Sequence, residues 1–132
     1  MVMLIINCLV TIDEYLKGIL AQILASYKIL TELNDKPNDL EIIKKELSKI
    51  RGLLQVMRSK LDKKKYQSDH LVTLQKLSAY YIDTYDFTRE IEMLGQVYYM
   101  DSDRLKNLRL LIINSLNDKK LIEKLQKILI EL

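Results

Sequence analysis

Cysteine, proline and histidine each occur once in this 132-residue chain, at Cys8, Pro37 and His70, and tryptophan does not occur. A single thiol excludes an internal disulfide framework and fits a reducing, cytoplasmic interior. With one proline and three glycines, the chain has too few turn residues for a many-turned β fold or an extended disordered region. The longest uninterrupted apolar run, residues 1–6, is far short of the ~20 residues a membrane span needs. It lacks the basic n-region of a signal peptide.

The chemistry of enzymes is equally thin. A Ser–His–acid or Cys–His arrangement has only His70 to use, and His70 sits beside Asp69 at a predicted helix start, where a polar residue is ordinary. No Gly-x-x-x-x-Gly-Lys loop exists, and Gly18, Gly52 and Gly95 are scattered within helical stretches, which argues against a phosphate cradle. The absence of Glu-x-x-His speaks against a di-iron bundle, and there is no ligand set for zinc. Asp83, Asp86 and Glu90 share a flank if their helix is continuous; they read as Mg²⁺ ligands or, more simply, as caps and a solvated face. Cys8, in an apolar context with no nearby cation, reads as an inert packing residue. The expectation is therefore a non-enzyme with no cofactor and no metal.

Apolar residues make up 48% of the chain and charged residues 30%, the composition of one ordinary globular domain over residues 1–132. Residues 1–10 read as a short strand or an apolar lead-in, after which Thr11 and Glu14 form a capping-box pattern. Ile12, Tyr15, Leu16, Ile19, Leu20, Ile23, Leu24, Tyr27 and Leu30 then repeat at helical spacing. Residues 34–38, Asn-Asp-Lys-Pro-Asn, are the clearest break, and Asn38 is placed to cap the next helix with Glu41 at its third position. That helix extends to about residue 64, and residues 67–69 form a polar turn. Leu71, Leu74, Ser78, Tyr81 and Tyr85 give a third helical face. The chain over 84–88 is either interrupted or continuous with 91–100. Asp101, Ser102 and Asp103 open a helix bearing Leu105, Leu108, Ile112 and Leu116. Asn117 and Asp118 turn the chain into a last amphipathic helix with Leu121, Leu125, Ile128 and Leu132. The fold class is all-α, a compact bundle of five to six helices.

Charge is concentrated in one place. Residues 36–70 carry ten basic and five acidic side chains, whereas 71–132 carry nine of each. Within residues 40–65 the apolar seam Leu40, Ile43, Leu47, Ile50, Leu54, Met57 and Leu61 is flanked by Lys44, Arg51, Arg58 and Lys65, each seven apart. On a helix this row spans roughly 30 Å. Lys45, Lys49, Lys60, Lys63 and Lys64 add to it. Phosphate backbones select such cations without sequence-specific geometry, which makes Lys45, Lys49, Arg51 and Arg58 candidate nucleic-acid contacts. The alternative is a solvated face with intrahelical pairs such as Glu41–Lys45 and Glu46–Arg51. Gly52, in mid-helix at about 1 kcal/mol relative to Ala, permits close approach of another backbone or a partner. Among the tyrosines Tyr80, Tyr81, Tyr85, Tyr98 and Tyr99, Tyr81 and Tyr85 fit the core face. Tyr80 falls off it, where it reads as a stacking surface or as one more packing residue.

The segment Leu47-Ser48-Lys49-Ile50-Arg51-Gly52-Leu53-Leu54 resembles the Ser-Lys-Leu-Arg-x-Leu-Leu helix start of the small helical subunit of type III-A (Csm-type) CRISPR effector complexes. Residues 74–81 (LQKLSAYY) are similar to that family's apolar helix leading into a tyrosine. Together the matched stretches cover about a third of the chain. Tyr80 is followed by Tyr81, Ile82 and Asp83 instead of the family's Ala-Gly-Arg, and the family's closing Ala-Tyr-x-Lys element has no clear counterpart in residues 121–132. The resemblance implies a non-catalytic subunit of an antiviral defense complex, held in register by neighbouring protein subunits along a guide–target RNA duplex. It carries Lys49 and Arg51 over as RNA contacts; Lys45 and Arg58 are proposed from the row alone. The rival expectation is a helical protein–protein adaptor, a viral or regulatory bundle that meets its partner through the same seam and has no nucleic-acid role.

Overall fold

A computed structural model describes residues 2–62, 69–84, 89, 92 and 102–131, with backbone alone for 2–13, 62 and 102. Five helices are described: α1 (Val2–Glu32), α2 (Asp39–Asp62), α3 (Asp69–Asp83), α4 (Ser102–Asn117) and α5 (Leu121–Glu131). The all-α expectation holds. The expectations for Lys63–Lys65, Tyr85, Asp86, Glu90, Gly95, Tyr98, Tyr99, Asp101 and Leu132, and for the chain over 85–88, lie outside the described residues, as does the packing of Cys8.

One boundary differs from the sequence reading. Residues 2–10 are neither strand nor lead-in, and the Thr11–Glu14 pattern does not cap a helix, because α1 runs unbroken through it. A capping box satisfies amides left orphaned where the chain enters a helix. No glycine or proline precedes Gly18, so a nucleated helix propagates through the apolar run at little further cost.

The seam of α2 is the centre of the core. Leu40, Ile43, Leu47, Ile50, Leu54, Met57 and Leu61 are all buried, as the three–four spacing requires. α2 packs chiefly against α1 and α3, while α5 packs against α1 and α4. Leu16, Ile19, Leu20, Ile23 and Leu30 of α1 join the same cluster, with Leu74, Leu77 and Tyr81 of α3, Leu105, Leu108, Ile112 and Leu116 of α4, and Leu121, Leu125 and Ile128 of α5.

Two polar nodes lock helix ends into this core. At the break after α1, Asp35 adopts a left-handed φ of 62°, which aspartate tolerates better than most residues. Its carboxylate receives Arg109 Nε at 2.7 Å and Nη2 at 3.0 Å, while Arg109 Nη1 donates to the Leu30 carbonyl at 3.1 Å. The guanidinium thus closes the end of α1 and fixes α4 to it. Hydrogen bonding to Asp35 holds the Arg109 guanidinium above its ordinary pKa. Asp39, the first residue of α2, accepts the amides of Asn34 and Lys36 at 3.2 and 3.0 Å. Asn38 does stand just before α2, but the carboxylate that organises this loop is Asp39. At the other node the buried Tyr81 hydroxyl donates to the carbonyls of Ser115 and Leu116 at 3.1 and 2.9 Å, satisfying acceptors that the end of α4 leaves open.

Candidate nucleic-acid interface on the second helix

A helix advances about 100° per residue, so positions seven apart shift by about 20° per heptad. The seam repeats with the same period, so the row Lys44, Arg51, Arg58 drifts with it and keeps its angle to the buried face. Arg51 is exposed, whereas the Arg58 side chain is only 33% exposed and its Nη1 lies 2.5 Å from Asp83 Oδ1 at the end of α3. Lys44 is half-buried and pairs with Glu41 at 3.6 Å. The intrahelical pairs expected as Glu41–Lys45 and Glu46–Arg51 are replaced by closer i,i+3 pairs, Glu41–Lys44 and Glu46–Lys49, the latter at 4.0 Å.

Two acids of α2 turn inward, while Glu41 stays exposed beside Lys44. Asp39 is 7% exposed and Glu46 4%. Glu46 Oε2 is buried without a hydrogen-bond partner. Lys45, Lys49, Arg51 and Lys60 remain on the solvated side, with Lys60 Nζ 5.6 Å from the ring centre of the exposed Tyr15 on α1. The outward surface of α2 is thus more basic than the helix's composition suggests. Neither Lys45 nor Arg51 forms an ion pair among the described residues.

Gly52 lies on this outward face, and a Cβ built there meets nothing within 4 Å. Among the described residues, nothing uses the missing side chain for close approach. With Ser48, Gln55 and Ser59 also exposed, the ground between the cations is low and uncharged. Tyr80 is half-buried. Its ring sits edge-on to Tyr81, 5.0 Å between centroids, and Lys119 Nζ stands 5.2 Å from its centre. The packing alternative describes it better than an open stacking platform.

The side chains weighed for catalysis are dispersed. His70 Nε2 meets Glu131 at 2.8 Å, joining the start of α3 to the end of α5. Asp83 is engaged by Arg58. Among the described residues no three His, Cys, Asp or Glu side chains gather as a metal site, and no helix is long and apolar enough to cross a membrane. The sequence reading missed Arg109. Its signal was positional, since it stands four residues after Leu105 and three and seven before Ile112 and Leu116, on the face that α4 buries. Comparison with protein-family models, curated proteins and solved structures finds no match.

Proposed function

We propose that this chain is a non-catalytic helical subunit of a nucleic-acid-binding assembly, and that it meets RNA backbone through the outward face of α2. On the resemblance of residues 47–54 and 74–81, the assembly is a type III CRISPR effector complex and the RNA its guide–target duplex. The observation that carries the reading is the sorting of charge on α2. Asp39 and Glu46 are turned into the protein, and Lys45, Lys49 and Arg51 stand on an open surface. A face of this kind suits a polyanion, because each phosphate it neutralises releases counterions to solvent. The role is one of positioning along a backbone, with neighbouring subunits supplying register.

The adaptor reading changes form. Its expected surface, the seam of α2, is core, so a protein partner must sit elsewhere. A shallow groove lined by Ala21, Leu24, Ala25, Tyr27, Lys28, Thr31 and Gln126, and the exposed Leu110 and Leu111 of α4, are the surfaces that favour it.

Titration of the full chain against a fluorescent RNA duplex, at about 50 and about 200 mM salt, separates the two. Binding that weakens steeply with salt, and that Arg51→Ala and Lys45→Ala each reduce, supports the nucleic-acid role. No RNA binding at the lower salt sinks it. Pull-down of a protein partner that is indifferent to salt, and is lost on Leu111→Arg, then supports the adaptor.

A further inference from the structure

The cations of the α2 row are held differently. Arg51 is open to solvent, but Arg58, one heptad and about 10 Å further along the helix, is bound by a carboxylate from a different element. Its Nη1 lies 2.5 Å from Asp83 Oδ1, with 33% of the Arg58 side chain and 51% of the Asp83 side chain exposed. Asp83 is the last residue of α3, at the negative end of the helix dipole. A carboxylate is disfavoured there, so α3 itself gives no reason for an acid at this position. Its favourable interaction is with Arg58, across the α2–α3 boundary. A guanidinium accepts a carboxylate or a phosphate in the same forked geometry, and the half-exposed pair leaves room for one to replace the other.

We propose that Asp83 is an autoinhibitory partner of Arg58. It occupies the guanidinium that would extend the phosphate-binding row of α2, and limits that row to Lys45, Lys49 and Arg51 until the carboxylate is neutralised or displaced. This rests on the reading of α2 as a backbone-binding face, and it predicts coupling between two named residues that the reading alone does not.

The test is a double-mutant cycle on the full chain with an RNA duplex as probe, in parallel with Arg51→Ala. Asp83→Asn tightens binding by about three- to tenfold at about 50 mM salt and steepens the salt slope by about one phosphate contact. Arg58→Ala binds nearly as the parent does, and in its background Asp83→Asn gains nothing. Circular dichroism checks that each variant folds; should Asp83→Asn not fold, Asp83→Ser carries the same comparison. If neither substitution at Asp83 tightens binding, the gate is wrong. It is also wrong if the gain persists without Arg58, because a general change of field then explains it. If the parent binds, Arg51→Ala weakens it and Asp83→Asn does nothing, the α2 interface stands and only the gate falls. If neither the parent nor the Asp83 variants bind at low salt, the interface itself falls.

Discussion

Tyr81 and Arg109 show how single polar side chains tie helices together inside an apolar core. Tyr81 is fully buried, and its hydroxyl serves two carbonyls at the end of α4. Burial pushes its phenol up to about 12 from an ordinary 10.0. The folded pKa is raised, so the neutral form is favoured in the folded chain. The associated stability is complete below pH 10 and is lost as pH rises through about 12. That loss amounts to roughly 2–3 kcal/mol. Tyr81→Phe removes the hydrogen bonds and strands the carbonyls, at about 1–3 kcal/mol near neutral pH. Urea unfolding across the alkaline range should show the gap between parent and Tyr81→Phe closing above pH 10; a constant gap would mean that the phenol does not titrate as buried. Arg109 makes three hydrogen bonds from a side chain 9% exposed. Its removal leaves a nearly buried Asp35 and the Leu30 carbonyl without their donor, so Arg109→Ala should cost about 3–5 kcal/mol. Arg109→Lys should recover only part of this, since an ammonium lacks the fork that matches the carboxylate. An Arg109→Lys chain as stable as the parent would show that the forked geometry is unimportant.

At the scale of the element, α2 has two faces with opposite expectations. Leu54 is completely buried, so Leu54→Ala should lose about 2–5 kcal/mol through lost burial and the cavity left behind. Gly52, two residues earlier, has open space where a Cβ would stand. Gly52→Ala should therefore stabilise the chain by about 0.5–1 kcal/mol, because alanine loses less backbone entropy on entering the helix. The pair is measured by thermal or urea unfolding. The informative further result is RNA affinity: a stabilised Gly52→Ala that binds RNA less well would locate the partner's backbone against that open spot, whereas unchanged affinity would leave Gly52 outside the interface. α1 teaches a separate point. Thr11-x-x-Glu14 has the letters of a cap without its setting, since α1 begins at Val2, and a local motif acts as a boundary only where the preceding residues leave the helix.

Over the whole molecule, α1 and α3 pack on the α2 seam and leave its basic flank in solvent. If the assembly binds RNA through that flank, Arg51→Ala should weaken different RNA sequences nearly equally, because phosphates carry no base identity. It should also reduce the magnitude of the salt slope by about one. A loss confined to one sequence would point to base contacts and to a different surface. The row also shows where spacing by heptads stops: Lys44, Arg51 and Arg58 are equivalent in spacing, yet Lys44 pairs within α2, Arg51 is open to solvent, and Arg58 pairs with Asp83 at the end of α3.

The apolar spacing determined the helical class and the buried positions of α2, α4 and α5, because a repeat of three and four has one way to face a core, and the turn residues at 34–38 marked the break between α1 and α2. The seam of α2 was legible to the last residue. What the spacing left open were the pairings between elements. Arg109 reaches Asp35 from 74 positions away, Tyr81 reaches the end of α4 from 34 and 35, and Arg58 is claimed by Asp83. The inward turn of Asp39 and Glu46, which makes the outer face of α2 basic, was equally out of reach. Periodicity fixes which side of a helix is buried. Which polar group meets which depends on the packing of separate helices, and only the tertiary structure decided that.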